Sequence, residues 1–190
     1  SPTLGMNWQI NESHSVGIRY RPGFELRSES SQEGKSVANI GGILDDETNT
    51  DAIGLTEPSP THEVNMYYNG RAGKLNIDFN ADFHDSRSKE LKTYNEISKY
   101  QDNRILNTSS NTHNRLYASK LTLTYPLFGG VLTAGSEYSN TMRYDEYIND
   151  EGYVPSAYTK IREYELSAYA EYIYPFRFGS LTAGIRYEHI

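Results

Sequence analysis

From Leu75 the odd-numbered positions read Leu75, Ile77, Phe79, Ala81, Phe83, and the even-numbered ones Asn76, Asp78, Asn80, Asp82, His84. Successive side chains of a β-strand point to opposite faces, so this segment makes a strand with one apolar and one strongly polar face. A helix would set Asp78 and Asp82 on the same side as Leu75 and Phe79. The period of two therefore makes a β fold the starting point for the whole chain.

The same pattern recurs along the sequence. Leu4, Met6, Trp8 and Ile10 alternate with Gly5, Asn7 and Gln9, and Val16, Ile18 and Tyr20 alternate with Gly17 and Arg19. Val64, Met66 and Tyr68 follow the rule, as do Tyr117, Leu121, Leu123 and Tyr125, and then Leu132, Ala134 and Tyr138. Tyr164, Leu166, Ala168, Ala170 and Tyr172 oppose Glu163, Glu165, Ser167, Tyr169 and Glu171. The last such segment sets Leu181, Ala183, Ile185 and Tyr187 against Thr182, Gly184, Arg186 and Glu188. Residues 1–190 thus read as one all-β unit of about eight antiparallel strands, in hairpins at about 4–20, 62–84, 115–143 and 161–190.

The connections alternate in length. Asn11-Glu12-Ser13, Asn69 to Gly73, Phe128-Gly129-Gly130 and Pro175 to Ser180 are short, and most supply the glycines and asparagine that tight hairpins need for positive φ. The stretches of about 22–61, 85–112 and 145–159 are long and polar and read as loops. In an up-and-down meander, alternate connections lie at the same end, so short turns gather at one end and long loops at the other. Transmembrane β-barrels have that asymmetry. Strands of about 9–11 residues suffice to cross a bilayer at barrel tilt, and 74–84, 115–127 and 161–174 reach that length. Tyr125, Phe128, Tyr172, Tyr174, Phe176 and Phe178 are placed to form an aromatic girdle at the short-turn end. A soluble or surface-exposed β-meander, or an eight-stranded barrel acting as a binding module, also alternates its faces and stands as the alternative.

Composition agrees with a spanning sheet. Mean hydropathy is −0.71 and no apolar run suggests a transmembrane helix, but a spanning strand needs only alternate apolar residues. The formal charge of −7, with no basic stripe, argues against nucleic acid as a partner. Cysteine is absent, which excludes disulfides and thiolate chemistry here. Ser1-Pro2-Thr3-Leu4 has neither the positive start nor the apolar stretch of a leader, and the chain ends at Ile190 within an apparent strand. Both ends read as those of a piece of a longer chain.

Motifs of chemistry are weak, and the chain is read as no enzyme, with no cofactor and no metal site. Asp45-Asp46-Glu47, with Asn49 and Asp51, lacks the turn glycine and distal glutamate of a calcium loop. Glu163, Glu165 and Glu171 share a strand face, with Glu137 on a neighbouring strand; a polar interior balanced by Arg162, Lys120 and Arg186 accounts for them. The histidines His14, His62, His84, His113 and His189 are scattered, and Gly135-Ser136-Glu137 lacks the closing glycine of a nucleophile elbow. Leu91, Tyr94 and Ile97 are three apart and predict a short amphipathic helix within Ser88 to Tyr100. Tyr144, Tyr147, Tyr153 and Tyr158 are the candidate ligand-contact aromatics of the loops.

The strand text Leu4-Gly-Met-Asn-Trp-Gln-Ile-Asn-Glu-Ser-His-Ser-Val-Gly-Ile-Arg-Tyr resembles a hairpin of the outer-membrane β-barrel family related to TonB-dependent receptors, common in Bacteroidetes. Gly184-Ile-Arg-Tyr-Glu-His is similar to a strand of that family rising into an extracellular loop. The resemblance covers the strand regions and not the long loops. It implies residence in the bacterial outer membrane, contact with membrane lipid, and uptake of an extracellular ligand. It further implies a full-length barrel of about 22 strands with a plug domain and a TonB-type energy complex as partners. No plug or energy-coupling segment is recognisable here.

Overall fold

The alternating segments all become strands, and so do most of the polar stretches between them. The computed structural model describes residues 2–190. It contains ten strands: β1 (Leu4–Asn11), β2 (His14–Glu25), β3 (Ser28–Ile40), β4 (Ile43–Glu57), β5 (Ser59–Ala72), β6 (Leu75–Ser98), β7 (Arg104–Leu127), β8 (Gly130–Asn149), β9 (Ala157–Phe176) and β10 (Gly179–His189). All pair antiparallel in one open sheet, in the order β1-β2-β5-β6-β7-β8-β9-β10, with β4 joining β3 to the upper part of β6. β1 and β10 end this order and do not pair with each other, and β3, which pairs only with β4, is a further edge above β1.

Ten strands occupy eight staves. β2 and β3 run on as one stave and β4 and β5 as another, with their mutual register unbroken: Glu25 lies opposite Ser59 and Ser28 opposite Thr56. Against β6 the register slips by one residue across Pro58, from Glu57 opposite Lys89 to Thr61 opposite Ser86. Proline donates no ladder hydrogen bond, so a bulge is where a strand accepts it.

The stretches expected as loops are instead tall hairpins. Residues 22–61 hold β3, β4 and the ends of β2 and β5; 85–112 hold the upper halves of β6 and β7; only 99–103 and 150–156 form the irregular tips of their hairpins. Ser88 to Tyr100 forms no helix. Leu91 lies opposite both Leu55 and Ser109, so the backbone there is paired on two sides, and this wins over a helical spacing of three residues. Both faces of these hairpins carry polar residues, so neither face is set apart as apolar and the period-two signal is missing.

The turns divide the sheet into two ends. At the short end, Phe128 and Gly129 both have positive φ (47° and 80°), the conformation of the tightest hairpin turns. At the tall end, Gly41 and Gly42 (60° and 83°) close β3 onto β4 in the same way. β6 and β7, with 24 residues each, extend about 80 Å at the usual rise per residue, far beyond the ~30 Å hydrocarbon thickness of a bilayer.

Candidate functional site: two unlike faces of one wall

Register joins the apolar sides of all eight staves into one face. Trp8 lies opposite Val16, and Val16 opposite Tyr68. Tyr68 faces Phe79, Phe79 faces Leu121, and Leu121 faces Ser136. Ser136 faces Ala168, and Ala168 faces Tyr187 on β10. On β6 the band runs from Leu75 to Phe83, and on the other staves over similar lengths. In it this face carries no Asp, Glu, Lys or Arg. Tyr125, Tyr172, Tyr174 and Phe176 lie on this face at its short-turn end, with Phe128 and Phe178 in the turns, as the girdle expectation has it.

Nothing among the described residues covers this face. No apolar residue is buried among the described residues, and Trp8, Leu181 and Ile185 are 61–76% exposed. Nine residues by eight staves amount to roughly 30 Å by 34 Å, or on the order of 1,000 Å². The largest apolar patch on a typical water-soluble monomer is about 300–600 Å².

The opposite face is charged and hydrogen-bonded. Glu137 accepts an ion pair from Lys120 at 2.7 Å and another from Arg186 at 3.1 Å, over Ser167, which is 1% exposed. Glu163, Glu165 and Glu171 share this face, but Glu137 meets cations rather than a second carboxylate. Arg162 does not belong to the polar interior as expected. It follows Met142 and Arg115 in register and lies on the other face. Two tyrosines lie flat against this polar wall. The Tyr67 hydroxyl crosses Gly17 to donate to Asn7 Oδ1 at 3.0 Å, and the Tyr169 hydroxyl crosses Gly135 to reach Thr122 at 3.2 Å.

The tall end is tied by carboxylates. Asp46 accepts from the Ser98 hydroxyl at 2.8 Å, the Thr48 hydroxyl at 3.0 Å and the Tyr100 N–H at 3.2 Å. These bonds, that of Ser98 foremost, hold its carboxyl below the ordinary carboxylate range. Glu47 beside it pairs with Lys35 and with Lys99, which lower its pKa in that order. Glu151 accepts the Asn107 N–H at 2.8 Å, and that backbone bond lowers its pKa. The acidic run Asp45-Asp46-Glu47 therefore clasps the β3–β4 hairpin to the β6–β7 tip.

The four candidate tyrosines separate. Tyr144 and Tyr158 lie on the continuation of the apolar face, beside one groove with His113 and Pro60. Tyr147 lies on the opposite face, and Tyr153 sits in the 150–156 tip with the Arg104 guanidinium 5.7 Å from its ring. Most histidines bind tyrosine or a carboxylate: His14 with Tyr68 and His62 with Tyr20, both at 2.7 Å, and His113 with Asp85 at 2.8 Å. Among the described residues no three His, Asp or Glu side chains converge as metal ligands would. The Asp85 cluster was missed by motif reading, although parity points to it: the odd series Phe83 continues as Asp85, Arg87, Lys89.

No protein-family model matches the chain, and no curated protein does. Among solved structures, the chain is similar to the ferric citrate transporter FecA in its unliganded form, with a TM-score of 0.47 at 10% identity over 97% of this chain and 26% of that one. It is similar to BauA, the ferric preacinetobactin receptor from Acinetobacter baumannii, with a TM-score of 0.44 at 10% identity over 90% and 29%. A third is the outer membrane protease OmpT from Escherichia coli, with a TM-score of 0.35 at 14% identity over 97% and 67%. The chain spans about a quarter of the length of the first two.

Proposed function

We propose that this chain forms part of the wall of an outer-membrane β-barrel that serves in ligand uptake. One observation carries the reading: a charge-free apolar face of membrane-crossing height runs across eight staves and is exposed, with no apolar residue buried among the described residues. A soluble meander would turn that face inward onto a core. Hydrocarbon is the medium in which such a face is stable, and in it backbone groups must be paired, as in a closed barrel. The open edges of β1 and β10 are then completed by further strands or by each other.

In this reading the polar face lines the lumen and the tall hairpins stand outside the cell. Tyr147 on the polar face and Tyr153 at a tip are the pair of the four aromatics placed to meet a ligand, while Tyr144 and Tyr158 face outward. A plug domain and a TonB-type energy complex are the partners that the family resemblance supplies.

The test is refolding of the chain in the presence of phosphatidylcholine vesicles. Flotation with the vesicles and protection of the Leu75–Phe83 and Tyr117–Tyr125 segments from added protease are the expected result. A chain that stays in the aqueous phase, folded and unprotected, overturns the reading.

A further inference from the structure

The apolar face changes character within one row. Phe83, Tyr117, Asn140 and Tyr164 lie in register and carry no charge. Two residues further up, Asp85, Arg115, Met142 and Arg162 lie in register on the same face. The next row adds Arg87, His113, Tyr144 and Lys160. These two rows bring four cations to one carboxylate. Asp85 is shared: Arg115 bonds it at 2.9 Å, the His113 ring at 2.8 Å, and Arg87 approaches to 4.0 Å. Arg162 and Lys160 are exposed, with Lys160 Nζ 5.2 Å from the Tyr144 ring.

Directly below this cluster the apolar face is grooved. Ala81 and Ser119 lie opposite each other across β6 and β7. Their small side chains leave a groove of about 370 Å³ between Met66, Tyr138 and the Phe83–Tyr117 ring pair. A cationic patch stands over an apolar groove, on the face argued to meet lipid.

We infer that this place binds an anionic, phosphate-bearing lipid of the leaflet on the tall-hairpin side. Arg115, Arg87 and Arg162 take the headgroup phosphate and the Ala81–Ser119 groove takes an acyl chain. Charge complementarity selects the occupant. Guanidinium presents paired donors that fit phosphate oxygens, and cations at the membrane boundary favour anionic over zwitterionic headgroups. Asp85 holds Arg115 and His113 in place while neutralising only part of the charge. The inference rests on the membrane-wall reading above.

The chain reconstituted in phosphatidylcholine vesicles tests it, with a trace of spin-labelled phosphatidylglycerol or spin-labelled phosphatidylcholine. Motionally restricted signal should favour the anionic label about fivefold, the factor of a single favourable charge contact at the interface. Arg162→Gln with Arg87→Gln should bring the ratio to about one while vesicle flotation and protease protection persist. Ala81→Phe should reduce the restricted signal of both labels. Equal restriction of the two labels by the inserted wild-type chain overturns the lipid site and leaves the wall reading standing, as does a preference untouched by the arginine substitutions. A chain that stays folded and unprotected in the aqueous phase overturns the wall reading, and the lipid site with it.

Discussion

The ring of Tyr67 lies across Gly17, so closely that a Cβ on the glycine would fall 2.3 Å from Tyr67 Cε1. The glycine is the space in which the ring lies, and the ring covers backbone that the glycine leaves bare. Gly135 and Tyr169 repeat the arrangement, with a Cβ 2.6 Å from the ring. Gly17→Val should therefore cost about 1–3 kcal/mol by overpacking, measured by urea unfolding in detergent micelles. Gly5→Ala, where a Cβ meets its nearest neighbour at 3.5 Å, should be close to neutral. Tyr67→Phe keeps the ring and loses only the Asn7 bond, for about 0.5–1.5 kcal/mol.

The two faces should respond oppositely to charge. Leu121 lies at mid-height of the apolar band and Thr133 on the polar face opposite Glu171. Leu121→Arg should make insertion less favourable by about 2–4 kcal/mol, seen as loss of protease protection in vesicles. Thr133→Arg should insert as the wild type does. Equal effects of the two substitutions would contradict the assignment of faces.

Asp46 gives the tall end a pH dependence. Its carboxyl has a pKa below the ordinary value in the folded chain, so it binds protons less readily there than in the unfolded chain. Its contribution is in full force above the ordinary carboxylate range and is lost as pH falls through the lowered folded value. The protection factors of the amides of residues 43–49 and 98–101, taken relative to the unstructured exchange rate at each pH, should be high at neutral pH and fall once the medium is acid enough to protonate Asp46. Asp46→Asn should show low protection there at both, with the band strands unchanged.

The tall hairpins should be dispensable for the wall. β2 pairs β5 below the Pro58 bulge without help from β3 or β4. Replacing residues 31–53 by Asn-Gly, with Ser30 opposite Gly54 to receive the turn, should leave vesicle insertion intact. Loss of insertion would show that the β3–β4 hairpin is needed to fold the staves beneath it.

The lower half of the sheet was legible in the sequence because its two faces differ in polarity. Leu75 to Phe83 and Tyr164 to Tyr172 alternate as strictly as they do because one side is apolar and the other wet, and the short turns at Gly73 and Gly129 announce themselves by their glycines. The upper half was not legible. Thr93, Asn95, Asn107 and Ser109 are strand residues in a stretch polar on both faces, and their polarity reads as loop. The candidate tyrosines are near in sequence, and nearness alone groups them. Parity divides them, since Tyr144 and Tyr147 are three residues apart and so face opposite ways. The Asp46 clasp joins residues 52 apart through Ser98, and no local pattern encodes that contact.

The strict alternation on β6 also bears on how errors of assembly are removed. A slip of one residue in any hairpin would exchange its faces. On β6 that slip would turn Asp78 and Asp82 onto the apolar face, the one proposed to meet hydrocarbon, and Phe79 and Phe83 onto the polar one. A carboxylate near the bilayer midplane costs of order a few kcal/mol, so a misregistered stave carries a penalty comparable to the whole stability of many domains. For a sheet that meets lipid as proposed, the bilayer is a proofreader of strand pairing: it penalises wrong registers by solvation, whatever side-chain contacts the misaligned strands make.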